Sequence, residues 1–288
     1  MITITANGKI NLTLDILGRR DDGYHEVEMI MQSINLSDKL TIEKIDICDI
    51  ILDCVVEGVS DKKDNLIYKA AELFLRTYNI SCGVKISLEK NIPVAAGLAG
   101  GSTDAAAVLR GMNDLFDLAL PARELCILAA ELGSDVPFCV VGGTMLAKGR
   151  GEKISPIASL PNCAFVLIKP KLGISTAWVY KNYREQLVKK HPDSNLMMGE
   201  LAKKNLDGIC GSLGNVLESV TIGTYPQLAV YKEKLCLYGA KAALMSGSGP
   251  SIFAVCGDAA AARRIAVKMR REYEELEVYE AVPASADK

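Results

Sequence analysis

The stretch NIPVAAGLAGGSTDAAAVL, Asn91 to Leu109, constrains this chain more than any other. A proline and a run of small residues, with glycines at Gly97, Gly100 and Gly101, lead into an apolar, alanine-rich segment of helical character. Glycine in a loop raises the entropy cost of folding, so such a loop implies a sharp turn or a close approach to a ligand. Phosphate is the natural ligand, because N–H groups at a helix start face outward and the helix dipole adds its positive end. Two familiar phosphate loops are excluded. No lysine precedes Ser102, so no G-x-x-x-x-G-K-[ST] is present, and Ala99 fills the second glycine of a G-x-G-x-x-G counted from Gly97. What remains is a generic anion site at a helix starting from Ser102, or a plain loop with Ser102 or Thr103 as the helix cap. Asp104 would repel a polyphosphate unless Mg2+ stood nearby, so the phosphate reading brings magnesium with it.

Around this loop the pattern is α+β. ITIT, KINLTLDILG, EVEMIMQSI and KLTIEKI read as four strands, with RRDDGYH as a charged turn. Leu66, Ala70, Leu73, Phe74 and Tyr78 recur at helical spacing, and Pro121 and Gly133 bracket another helix. After CAFVLIKP the chain reads as mostly helical to about Tyr238, then as two strands around SGSGPS, a helix over 258–273 and a last strand, LEVYEAV. Strands and helices do not alternate regularly, so a doubly wound parallel sheet is not expected. Two prolines in ISPIASLPN place a domain boundary near 157, giving domains over 1–157 and 158–288 with a site at their junction.

The composition removes whole classes of function. A net charge of -2 lacks the basic footprint of a nucleic-acid binder. No apolar run approaches the roughly 18 residues that a membrane helix needs, and no signal peptide is visible at the start. Nine cysteines without any C-x-x-C argue against a disulfide framework or a zinc site, and with only two histidines a histidine metal site is not expected either. The chain reads as a cytoplasmic enzyme or binding module, a monomer or homodimer.

Four further segments then matter together: GKINL at 8–12, DGYH at 22–25, GSDVPF at 133–138 and ALMSGSGPSIFAV at 243–255. A strand-borne lysine, a P-x-x-x-G-L-x-G loop and a late glycine loop, in this order along the whole chain, resemble the GHMP kinase superfamily. DGYH, GSDVPF and NLIYKAA at 65–71 are similar to the branch that phosphorylates a cytidine diphosphate-linked methylerythritol in the non-mevalonate route to isoprenoid precursors. The resemblance implies a fold: an N-terminal domain of the ribosomal-protein S5 type and a C-terminal ferredoxin-like domain, with the active site in the cleft between them. It implies ATP and Mg2+, a small-molecule acceptor, and phosphorylation of the acceptor's 2-hydroxyl. Other GHMP kinases, acting on homoserine, mevalonate or a sugar, are the nearest alternative. A nucleotide-binding protein without catalysis and an NAD(P) enzyme stand further off.

Residue roles follow from the same resemblance. Asp135 is expected to take the hydroxyl proton, against the plain reading in which Asp135 or Ser134 caps a short helix. Lys9 is expected to pair with it and stabilise charge, and Asn11, two residues on, shares its strand face. The nucleotide falls to Asn65 and the loop: Pro93, Val94, Ala95, Ala96, Gly97, Leu98, Ala99, Gly100, Gly101, Ser102 and Thr103. Asn65 is otherwise a helix cap, and Ser102 is the one possible magnesium ligand. The loop carries Ala95, Ala96 and Ala99 where relatives have glycine or serine; a methyl group is tolerated at negative φ and not at positive φ, so the loop is expected to bind phosphate with its detailed path left open. Tyr24 and His25 are expected to receive the cytosine, with Tyr180 as second aromatic wall and Trp178 as its rival, whose default is the core. Gly247 and Ser248 would meet substrate from the second lobe. Lys148 and Arg150 are read as solvated charges, with contact to the diphosphate as the alternative.

Overall fold

The computed structural model describes residues 1–53 and 62–286. The four strands expected near the N-terminus are two. β1 (Ile2–Arg19) and β2 (His25–Ile45) pair antiparallel from Ile2 opposite Ile42 to Arg19 opposite His25. Irregular steps at Asn7/Lys9, Asn11/Thr13 and Ile16/Gly18 carry the ladder through the polar residues that suggested breaks. Such bulges bend a strand and re-aim its side chains without ending it.

The first sheet has seven strands. β3 (Ile50–Asp53), β4 (Gly83–Glu89), β2 and β1 lie in that order, and β5 (Thr144–Lys148) and β6 (Lys153–Pro156) add to β2 further along it. α1 (Leu66–Thr77) and α2 (Gly100–Leu115) cover one face. The alanine run is what lets α2 lie close: Ala105 to Leu109 have no exposed surface, and a Cβ on Gly111 would stand 2.8 Å from Ile42 Cδ1. α3 (Ala122–Leu132) and the short α4 (Val136–Val141) follow. Burial of each large apolar side chain here contributes about 1.5–3 kcal/mol.

The second lobe holds β7 (Ala164–Lys169), β9 (Ala242–Met245), β10 (Ile252–Cys256) and β11 (Glu277–Ala281), in the antiparallel order β11-β7-β10-β9. With α5 (Thr176–Asn182), α6 (Ser194–Ala202), α7 (Leu206–Ser212), α8 (Glu218–Thr224) and α9 (Gln227–Leu237) between β7 and β9, and α10 (Ala259–Glu272) between β10 and β11, this is β-α-β-β-α-β, the ferredoxin-like connection. Asp258 caps α10 by accepting from the Ala261 N–H at 2.7 Å.

The lobes are stitched together. β8 (Gly214–Asn215), from the second half of the chain, pairs in parallel with Thr13 and Leu14 of β1. Asn215 Nδ2 then donates to the Met245 and Gly247 carbonyls, both at 2.8 Å. The chain end also returns to the first lobe, where the Ala284 N–H donates to the Ser33 carbonyl at 2.8 Å. No helix of the described residues is long and apolar enough to cross a membrane.

Candidate active site

A cleft of about 1350 Å3 opens between the lobes, larger than the roughly 300–1,000 Å3 usual for one small ligand. Its floor is β1. Between two bulges the strand alternates regularly, so Lys9 and Asn11 face the same side, and Lys9 Nζ donates to Asn11 Oδ1 at 2.6 Å. Lys9 is only 3% exposed, a rare state for a lysine without a charged partner. The partner is Asp135, whose Oδ2 stands 3.6 Å from Nζ. Asp135 occupies the cap position of α4, yet its side chain makes no cap hydrogen bond, so its carboxylate is left for the cleft. The late glycine loop closes over the pair: a Cβ on Gly247 would lie 3.5 Å from both Lys9 Nζ and Asn11 Oδ1.

The Asn91–Leu109 loop forms one end of the cleft. α2 starts at Gly100, not Ser102, and its first rung is the Thr103 N–H to the Ala99 carbonyl at 2.9 Å. The N–H groups of Gly100, Gly101 and Ser102 therefore lack an acceptor from the helix itself. Neither Ser102 nor Thr103 is the cap. Ala99 is, with no side-chain hydrogen bond, and the Thr103 hydroxyl donates back to the Ala99 and Gly100 carbonyls. The alanines do not all keep to negative φ: Ala95 stands at φ 51° and Ala99 at φ 58°. The left-handed region costs an L-residue about 1–2 kcal/mol, so the loop path resists a methyl group without excluding it.

Asp104 is answered differently from the expectation. Lys90 Nζ stands 3.2 Å from Asp104 Oδ2 and also binds Asp38 Oδ2, while Asp38 Oδ1 accepts from the Asn91 and Ile92 N–H groups at 2.5 and 2.8 Å. Lys90 thus ties the stem entering the loop to the helix leaving it. Burial pushes the Asp104 carboxyl up to about 7, opposed by the Lys90 charge and aided by that of Asp38.

The opposite end of the cleft is aromatic. His25 and Tyr180, on α5 (Thr176–Asn182), have ring centroids 5.5 Å apart, and Tyr183 meets His25 edge-on at 6.2 Å. Burial and the neighbouring Arg19 charge lower the His25 pKa, favouring the neutral ring. Tyr24 is half exposed, with the Arg150 guanidinium 5.0 Å from its ring centroid. Arg150 therefore lines the cleft, not open solvent, whereas Lys148 pairs with Glu28 at 2.8 Å. Trp178, assigned to the core by default, is 39% exposed, and of the two rivals Tyr180 is the one that lines the cleft.

Most of the residues singled out from sequence converge here, from Lys9, Asn11 and Asp135 on the floor to Gly247 and Ser248 on the second lobe. Two do not. Leu98 is 1% exposed and packs in the core, its carbonyl accepting from the Lys9 N–H at 3.1 Å, and Thr103 turns its side chain back onto its own helix. Asn65 lines the cleft, but its Oδ1 caps α1 by accepting from the Ile67 N–H at 2.9 Å. Lys90, Arg19, Tyr183 and Arg184 line the cleft without any signal in their local sequence. Arg19 stands at the end of β1 opposite His25, Tyr183 and Arg184 follow α5, and Lys90 reaches Asp38 and Asp104, distant in sequence.

The model of "GHMP kinases N terminal domain" matches residues 65–143, and that of "GHMP kinases C terminal" matches 197–275. A 4-diphosphocytidyl-2-C-methyl-D-erythritol kinase of Listeria monocytogenes serotype 4a (strain HCC23) is 48% identical over 96% of this chain and 94% of its own length. One of the same name from Bacillus velezensis (strain DSM 23117 / BGSC 10A6 / LMG 26770 / FZB42) is 50% identical over 86% of both chains. A crystal structure of 4-(cytidine 5'-diphospho)-2C-methyl-D-erythritol kinase superposes with a TM-score of 0.83 at 31% identity, covering 99% of this chain and all of its own.

Proposed function

The chain belongs to the GHMP kinases, in the family of 4-diphosphocytidyl-2-C-methyl-D-erythritol kinases, and from that premise we propose how its cleft works. It transfers the terminal phosphoryl group of ATP to the 2-hydroxyl of 4-diphosphocytidyl-2-C-methyl-D-erythritol, giving the 2-phosphate and ADP. The observation that carries this reading is the buried ammonium of Lys9, 3.6 Å from Asp135 at the bottom of a cleft with room for two ligands. The gap between Nζ and the carboxylate is longer than a good hydrogen bond, which suits an acceptor oxygen touching both.

In the proposed mechanism Asp135 takes the proton as the acceptor oxygen bonds to phosphorus and the bond to ADP breaks. A tertiary alcohol is weakly acidic, and Lys9 stabilises the negative charge growing on its oxygen. Asn11 holds the ammonium in place. The N–H groups of Gly100, Gly101 and Ser102 receive phosphate oxygens of the nucleotide. Tyr24, His25 and Tyr180 receive the cytosine, and Arg150 the diphosphate. Magnesium, when bound with ATP, would supply positive charge that offsets the charge of the phosphates. Asp104 is engaged by Lys90, and no three His, Cys, Asp or Glu side chains among the described residues are placed to hold a metal ion, so the Ser102 hydroxyl is the group of this chain that would hold magnesium. The cytoplasm, a reducing compartment, suits a chain whose described cysteines are all free.

The test is an ADP-release assay with the cytidylyl acceptor, homoserine and mevalonate. Turnover of the cytidylyl compound alone is expected. Asp135→Asn is expected to keep ATP affinity within several-fold and to lose about 10²-fold or more in kcat. Undiminished turnover in that variant removes Asp135 from the mechanism, and preference for homoserine removes the substrate assignment.

A further inference from the structure

Between α5 and α6 (Ser194–Ala202) the chain runs as a strap with no buried residue from Tyr180 to Asp193. The segment's apolar anchors, Tyr180, Tyr183 and Val188, are only partly buried against the core, and a polar restraint adds to them. His191 supplies it. Its Nδ1 faces Asp15 Oδ1 of β1 at 2.7 Å, and its Nε2 faces Glu185 Oε1 at 2.9 Å. The other oxygen of Glu185 accepts from the Tyr183 hydroxyl at 2.6 Å. Tyr183 is the ring that meets His25 edge-on, and its N–H ends α5 on the Tyr180 carbonyl at 3.3 Å. A chain of contacts thus runs from the floor strand through the imidazole to the aromatic end of the cleft.

Two carboxylates on one imidazole admit one protonation state. Only the imidazolium donates from both nitrogens, whereas the neutral ring turns a lone pair toward one of the acids. We propose that His191 is a positioning residue for acceptor binding: its doubly donating imidazolium clasps the 183–191 strap to Asp15 and so sets Tyr183 and Tyr180 against His25. The assignment of this end of the cleft to the cytidylyl acceptor rests on the functional reading above. The hydrogen bond to Asp15, and next the charges of Asp15 and Glu185, raise the His191 pKa from its usual 6.5 against partial desolvation. The groups facing the ring are Asp15 from β1 and Glu185 from the strap, with Tyr183 behind Glu185 and the exposed Lys189 and Lys190 preceding it in sequence. Protonation holds the clasp, so rising pH opens it.

Three measurements on the whole 288-residue chain test this. In His191→Gln, acceptor KM is expected to rise about fivefold or more while kcat and ATP KM stay within about twofold, the pattern of a lost ground-state contact. Between about pH 6 and pH 9, wild-type acceptor KM should climb toward that of the variant, whose own difference from His191→Arg, a permanent cation, stays constant. Trypsin should cut after Lys189 and Lys190 about threefold faster in His191→Gln than in wild type at one pH, a readout that needs no substrate. Glu185→Gln breaks the same chain from its other side and should repeat both effects. Faster cleavage with unchanged acceptor KM overturns the positioning role, and unchanged cleavage overturns the clasp. Wild-type protein that turns over no cytidylyl compound overturns the functional reading and the acceptor assignment with it, leaving the cleavage result to judge the clasp alone.

Discussion

At Asp104 two opposing effects act on one carboxyl. Burial favours the neutral acid and Lys90 favours the ion, and burial prevails, leaving the group at about 7 against 3.8 unfolded. The sign for stability follows from linkage. Below 3.8 the proton is bound in both states. Between 3.8 and about 7 the unfolded chain releases it and the native protein does not, so stability from this group falls as pH rises through that window. Asp104→Asn removes the dependence, and denaturant unfolding from about pH 5 to pH 8 should show the variant gaining on wild type with rising pH. Parallel curves would mean that Asp104 is ionised throughout. Lys9 and Asp135 could be read from their segments because a motif marks them. Lys90 could not, because its role exists only where Asp38 and Asp104, distant in sequence, meet its ammonium.

The start of α2 shows what propensity conveys about an element and what it leaves out. Small residues followed by an alanine run announce a helix behind a tight loop, and that helix exists. Its boundary lies two residues earlier, since glycine at 100 and 101 tolerates either conformation and the Ala99 carbonyl decides the first rung. Ala99 at φ 58° sets a graded test. Ala99→Gly exchanges αL strain for greater chain entropy and should hold Tm within about 2 °C. Ala99→Val puts a β-branched side chain at positive φ and should cost about 2 kcal/mol or more, roughly 5 °C in a thermal melt. Equal melting temperatures for valine and glycine would place Ala99 outside the left-handed region. The paired N-terminal strands make the same point: alternation marks strands, but bulges join what composition divides.

At the scale of the whole molecule the two glycine loops touch. The Ser246 hydroxyl donates to the Gly97 carbonyl at 2.9 Å, and a Cβ on Gly97 would stand 2.3 Å from the Ser246 carbonyl oxygen at a φ of +74°. No side chain fits there without parting the lobes. Gly97→Ala should lower Tm by roughly 5 °C or more and shrink the stabilisation by ATP, read by melting with and without nucleotide. Wild-type melting in both conditions would show that the loops are free to separate.

The sequence by itself determined the α+β character, the glycine loop ahead of a helix and the kinase segments, since each is written in local periodicity or in a short run of residues. Only the tertiary structure decided that β8 and the chain end complete the first lobe, that Lys90 answers Asp104, and that His191 meets Asp15 and Glu185. Those outcomes depend on charges and backbone groups that become neighbours after folding, when burial strengthens every contact between them and no local pattern records the meeting.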